Sequence, residues 1–225
     1  MIRSLLLRAR VLGLVAVLLL AVWFLNGCLI RPNKSQTTLK YNLPTKLTLR
    51  AGEALPGSSI QYERMDEEGA YLLIDDQQAL KRKGDSLDWE GSPVEDVLVD
   101  LDLRIAWFTE EALHMVGVAD VVVDDVNPRP AQPQTSSPIT YSGPVLYNLA
   151  RGATVPGTTI VYESETEDGV RLGGLEGYPY RRAGDSIFWE GMLNDHVSIR
   201  LDLRVVQYSE RALRLGGVVT LWIGS

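Results

Sequence analysis

The feature that most restricts what this chain can fold into is an internal repeat with a fixed spacing of one hundred residues. Pro56, Gly57, Ile60, Tyr62 and Glu63 recur as Pro156, Gly157, Ile160, Tyr162 and Glu163. Arg82, Gly84, Asp85, Ser86, Trp89, Glu90 and Gly91 recur as Arg182, Gly184, Asp185, Ser186, Trp189, Glu190 and Gly191. The run Leu101, Asp102, Leu103, Arg104 returns as Leu201, Asp202, Leu203, Arg204, and Glu110, Ala112, Leu113, Gly117 and Val118 return as Glu210, Ala212, Leu213, Gly217 and Val218. A gap-free register of this length means one structural unit used twice. With 225 residues in all, each unit must be a small domain with a small core.

Composition supplies the boundaries. Residues 124–140 hold Pro128, Pro130, Pro133 and Pro138 among Asn, Gln, Ser and Thr, which is linker composition, semi-extended by proline restriction. A similar polar stretch covers 31–39. The expected organisation is therefore a signal or anchor segment at 1–30, a linker at 31–39, a first copy at 40–123, a proline-rich linker at 124–140 and a second copy at 141–225. The picture is two beads on a string.

Arg3, Arg8 and Arg10 precede an almost unbroken apolar run from Val11 to Leu25, the order of a charged region followed by a hydrophobic region in an export signal. Positive charges ahead of the run are expected to stay in the cytoplasm, which places the rest of the chain in the periplasm or outside the cell. Leu25, Asn26, Gly27 and Cys28 end the run. This stretch resembles the lipobox of bacterial lipoproteins, a resemblance that covers the leader alone and implies acylation of Cys28, with Asn26 a less typical occupant of its place. A second reading is an uncleaved transmembrane helix over 11–30 with Trp23 near the outer interface. A third is simple secretion.

Within each copy the clearest pattern is alternation. Val97, Val99, Leu101, Leu103, Ile105 and Trp107 are apolar, with Asp96, Asp100, Asp102 and Arg104 between them, and the second copy repeats this with Val197, Ile199, Leu201, Leu203 and Val205. Period two means a long strand with one face on a core and one in water. After the polar residues 109–111 comes another apolar run, 113–123, expected to pair back as an antiparallel hairpin. Shorter strands are expected at 47–50, 59–64, 70–74 and 86–89. About six strands per copy, punctuated by Gly and Pro, predict an all-β chain of two tandem small antiparallel sandwiches or barrels behind an N-terminal membrane-targeting helix.

Charge and cysteine use then exclude function classes. The net charge of −7 and the absence of a basic stripe beyond the N-terminus argue against nucleic-acid binding. The acid is concentrated in the first copy, at Asp66, Glu67, Glu68, Asp75, Asp76, Glu95, Asp96, Asp100, Asp124 and Asp125, an asymmetry that favours a basic partner or a solvated surface. Cys28 is the only cysteine, so the domains are expected to fold without disulfides and without a cysteine-ligated zinc. No EF-hand-type loop and no phosphate-cradling glycine loop stands in the chain, and neither a cofactor nor a metal is expected. His114 and His196 have Arg214 and Asp96 in the opposite copy and no obvious partners for a triad.

Three sets of residues are candidates for binding. Arg82, Asp85 and Trp89, with Arg182, Asp185 and Trp189, could present an aromatic ring flanked by charges to a sugar, but Trp89 falls in phase with Leu87 and the Gly-Asp-Ser run is ordinary turn chemistry. Asp102 and Arg104, with Asp202 and Arg204, lie on the wet strand face and read as a solvated charge ladder. The strongest signal is divergence: 73–80 is acidic and Gln-bearing, whereas 173–180 carries glycines and ends in Tyr178, Pro179 and Tyr180, a candidate binding loop on a rigid scaffold. Trp107 opposite Gln207, and Trp222 opposite Val122, are expected to fill the core or an interface between copies. The function expected is non-catalytic: an extracytoplasmic binding or scaffold protein held to the membrane by its anchor or the Cys28 lipid, with a protein partner, as an accessory subunit of a membrane complex. The alternatives are a cell-surface carbohydrate-binding protein and, behind it, an envelope hydrolase.

Overall fold

Every regular element in the computed structural model is a β-strand, over the described residues 38–133 and 135–224. Cys28 and the anchor segment lie outside the described residues, and among those described no helix is long and apolar enough to cross a membrane. The first copy runs β1 (Leu39–Arg50), β2 (Ile60–Met65), β3 (Ala70–Ile74), β4 (Gln77–Lys81), β5 (Ser86–Val94), β6 (Val97–Phe108) and β7 (Ala112–Val123). A short β8 (Arg129–Pro130) follows, then β9 (Ile139–Ala150), β10 (Val161–Thr166), β11 (Gly169–Gly173), β12 (Tyr180–Arg181), β13 (Ser186–Met192), β14 (Val197–Tyr208) and β15 (Ala212–Ile223).

Each copy builds two antiparallel sheets. In the first, a four-stranded sheet has the order β1-β7-β6-β5 and a three-stranded one the order β2-β3-β4; in the second, the orders are β8-β13-β14-β15-β9 and β10-β11-β12. The alternation on β6 fulfils its expectation, burying Val97, Val99, Leu101, Leu103 and Ile105 while Asp100, Asp102 and Arg104 stay in water. Opposite them, Ile60, Tyr62, Ala70 and Leu72 of the small sheet close the same core. The Tyr62 hydroxyl donates to the Thr109 carbonyl at 2.6 Å, and Tyr162 does the same to Ser209, so one tyrosine per copy ties the small sheet to the β6–β7 or β14–β15 turn.

The expected hairpin 97–123 forms, with Asp100 opposite Asp120 and Leu103 opposite Gly117. One detail differs. A bulge between Ile105 and Trp107 shifts the phase of β6, so Trp107 leaves the core face and is 44% exposed instead of buried. Trp222 also sits on the outer sheet face, yet it is only 7% exposed, beneath the Arg200 guanidinium at 5.4 Å from its ring.

Two other elements correct the expected strand list. β1 begins eight residues ahead of the expected 47–50, because Pro44 is tolerated where the strand is a sheet edge. The segment 73–80 is the β3–β4 hairpin rather than a free loop, turned by Asp75 and Asp76 at φ of 51° and 61°, two successive left-handed residues of the kind that match strand twist.

The described residues of 124–140 lie along the second copy. Asn127 N–H donates to Leu193 O at 2.7 Å, Asn194 Nδ2 donates to Asp124 O at 3.1 Å, Val126 is buried, and β8 pairs with the edge of β13. The copies also touch directly. β1 and β9 are edge strands that meet without forming a ladder, and a Cβ on Gly143 would stand 2.9 Å from Leu43 Cδ2 and 3.4 Å from Pro44. The two clefts flanking this contact share part of their walls in exchange: one of about 330 Å³ includes Leu39, Tyr41, Tyr147 and Pro156, the other of about 500 Å³ includes Ile139, Tyr141, Leu47 and Pro56. Exchanging each residue for its counterpart one hundred positions away turns Tyr41 and Pro156 into Tyr141 and Pro56, so the copies are related by an approximate two-fold axis through the β1–β9 contact. Pro44 and Pro144 stand at the middle of these two edges, each withholding a backbone donor, a device that keeps edges from fusing.

Candidate functional site

Sheet register decides which side chains share a face. On the outer face of the first copy's large sheet, Asp88 of β5 stands opposite Asp102 of β6, Glu90 opposite Asp100, and Asp100 opposite Asp120 of β7. Side chains directly opposed in an antiparallel pair have Cβ atoms about 5 Å apart, and like charges placed so are destabilising. All five carboxylates are exposed. None takes part in an ion pair among the described residues. Their nearest polar support is Asn42 of β1, whose Nδ2 donates to Asp120 Oδ1 at 2.7 Å.

The second copy has the same scaffold and different chemistry. Where the first has Asp88, Asp100 and Asp120, it has Phe188, Arg200 and Thr220. Arg200 pairs with Glu190 at 2.5 Å and lies over Phe188 at 5.7 Å and Trp222 at 5.4 Å, so this face is neutralised and aromatic. Asp102 and Arg104 do not pair with opposite charges across the sheet as a charge ladder would. The residue across from Asp102 is in fact the like-charged Asp88, and Arg104 donates to Gly84 O at 3.3 Å, as Arg204 does to Gly184 O at 3.4 Å.

The remaining candidates fall in three places. Arg82 and Asp85 close a tight turn: Arg82 N–H donates to Asp85 Oδ2 at 2.7 Å, Asp85 N–H donates to Arg82 O at 3.1 Å, and Gly84 between them has φ of 90°. Arg182, Asp185 and Gly184 repeat that turn. Trp189 is buried and donates from Nε1 to Thr159 Oγ1 at 3.3 Å; Trp89 is half-buried, and both rings lie over the following glycines, Gly91 and Gly191, where a Cβ would collide with them.

Tyr178 is 63% exposed and its ring lies 5.4 Å from that of Tyr180, tilted by 54°. The Arg181 guanidinium holds this segment by donating to the Tyr178 and Tyr180 carbonyls at 2.6 and 2.8 Å, with Pro179 between them. In the first copy an aromatic pair that sequence reasoning did not assemble occupies another place: Trp107 stacks on His114 at 4.3 Å, with Lys46 Nζ 5.5 Å from the Trp ring and Thr48 Oγ1 3.0 Å from His114 Nδ1.

Between the copies, the hydroxyls of Tyr41 and Tyr147 are buried without a hydrogen-bond partner among the described residues. Burial, aided by the nearby Tyr147, holds the Tyr41 phenol well above its usual value, and burial pushes Tyr147 and Tyr141 up to about 12. Comparison of the chain with protein-family models, with curated proteins and with solved structures found no match.

Proposed function

We propose that this chain is a non-catalytic, extracytoplasmic binding and scaffold protein, anchored through its N-terminal segment or a Cys28 lipid, that serves as an accessory subunit of a membrane complex. On this reading each copy is a small antiparallel sandwich that acts as a rigid mount. The observation that carries the proposal is the first copy's acidic face, where Asp88, Glu90, Asp100, Asp102 and Asp120 oppose one another across three strands. An arrangement that works against folding is retained where it serves something else. A flat acidic face recruits a basic protein surface, raising association rate and suppressing wrong partners.

The test is crosslinking in native membranes followed by mass spectrometry, comparing the unaltered chain with one carrying Asp100→Asn and Asp120→Asn. A partner recovered with the first and lost with the second supports the proposal. A chain that crosslinks to nothing, or one whose partners ignore the substitutions, defeats it. The same sample shows whether Cys28 carries lipid.

A second reading, a carbohydrate-binding protein, is favoured by the exposed rings of Tyr178 in one copy and Trp107 in the other. Aromatic faces stack on the apolar faces of sugars. A glycan array separates the two: binding abolished by Tyr178→Ala and Tyr180→Ala selects the sugar.

A further inference from the structure

The two large sheets differ at one edge, and the difference points to a mode of binding. In the second copy the edge of β13 is taken by the extended segment around β8: Asn127 N–H donates to Leu193 O at 2.7 Å, Ala131 N–H donates to Glu190 O at 3.3 Å, Pro130 stands opposite Gly191, and Arg129 closes on Asp195 at 2.5 Å. Gly191 is needed there, since a Cβ would meet the Arg129 carbonyl oxygen at 2.3 Å. In the first copy the corresponding edge is β5, and among the described residues no strand pairs with its outer side. Gly91 is accordingly half-buried where Gly191 is buried, and Ser92 is exposed. By sequence position Glu90, Pro93 and Glu95 correspond to Glu190, Leu193 and Asp195, and the ladder with the inner neighbour is the same in both copies as far as Gly91 and Gly191; beyond it a register shift between Gly91 and Val94 gives β5 a tighter turn than β13 has.

Resting on the binding reading above, we infer that the outer edge of β5 receives an arginine-bearing extended segment of a partner protein as an added strand, with Glu95 taking the arginine and the acidic face taking neighbouring basic side chains. Strand addition derives affinity from main-chain hydrogen bonds and specificity from the side chains beside them. Here the second copy supplies the template for the main-chain part. Charge complementarity supplies the rest, because the carboxylates of Asp88, Glu90 and Asp100 lie on the two strands nearest that edge. An open strand edge is also a hazard for indiscriminate pairing, which dense like charge restrains until a basic segment arrives.

The probe is a synthetic peptide with the sequence of residues 126–136, added to the full chain and to the chain lacking residues 1–37, whose described residues belong to one compact unit. Three results are expected. The peptide binds, and its affinity falls about fivefold or more as salt rises from roughly 50 to 300 mM. N-methylation at the Ala131 amide abolishes binding, and replacing the peptide's arginine by glutamate does so too. Glu95→Lys weakens binding about fivefold without moving the melting temperature, and hydrogen exchange slows along β5 on binding.

Equal binding of the methylated or charge-reversed peptide overturns the inference. So does binding confined to the chain lacking residues 1–37, because Arg31, Pro32, Gln36 and Thr37 repeat Arg129, Pro130, Gln134 and Thr135 in kind and order; the edge would then belong to the chain itself. A native partner crosslinked away from β5 would leave the binding function standing while removing this site.

Discussion

Asp100 and Asp120 stand directly across from one another on adjacent strands, each in the middle of a well-formed ladder, with the Asn42 amide donating to Asp120. The equivalent pair in the second copy is Arg200 and Thr220, which carries no like-charge repulsion.

Relieving that repulsion is expected to stabilise the fold. Asp100→Asn should raise stability by about 0.5 kcal/mol, since Asp100 faces carboxylates on both sides. Paired denaturant melts at low salt and in about 0.5 M salt check it: the gain should be present in the first and largely screened in the second. A loss of stability at low salt would contradict the opposed-charge geometry.

Gly117 and Gly217 should tolerate no side chain. A Cβ at either would lie 1.9 or 2.0 Å from the carbonyl oxygen of Asp102 or Asp202 in the neighbouring strand, a backbone atom that cannot step aside. Either change to alanine is expected to cost about 2 kcal/mol or more. Gly216→Ala serves as the contrast, because its nearest neighbour is the Val206 Cγ2 methyl at 3.3 Å. Thermal melts of the three variants decide the matter.

Tyr62→Phe removes the hydroxyl that donates to Thr109 O. The expected loss is about 1 kcal/mol, with faster hydrogen exchange in the 109–112 turn than elsewhere. Tyr162→Phe should produce the matching effect at Ser209, and uniform exchange in either variant would argue against a local tie.

Alkali should loosen the contact between the copies. Tyr41, Tyr141 and Tyr147 bind their protons more tightly folded than unfolded, so their contribution is fully present below the unfolded value of about 10 and is lost as pH rises toward and through their folded values. Melting temperature should therefore fall between about pH 10 and 12, and Tyr147→Phe should soften that fall. A flat profile would show that these phenols titrate freely.

Much of the architecture is legible in the residues. The hundred-residue register and the alternation on β6 predict an all-β chain, and the polar 109–111 turn predicts the β6–β7 pairing. Carrying that pairing one step further places Asp100 against Asp120, so the acidic face was readable in part; Asp88 and Glu90 join it only once β5 is set beside β6 in register. Features that depend on edges were harder to see. Pro44 argues against a strand unless its sheet position is known, and β4 is polar because it too lies at an edge. A single bulge at Ala106 reverses the face of Trp107, and nothing in the local residue types announces it. The linker composition of 124–140 reflects missing helix and core signals, while its bonds to Leu193 and Glu190 come from a neighbour sixty residues away.

The approximate two-fold axis through Leu43 and Gly143 makes this chain a dimer written on one polypeptide. Two identical subunits would be obliged to show the same surface twice, and a carboxylate-rich sheet on both would raise repulsion on each side of the joint. Covalent joining lifts that obligation: position 100 can be aspartate while position 200 is arginine, so one half carries opposed carboxylates while the other sets an ion pair in the same place.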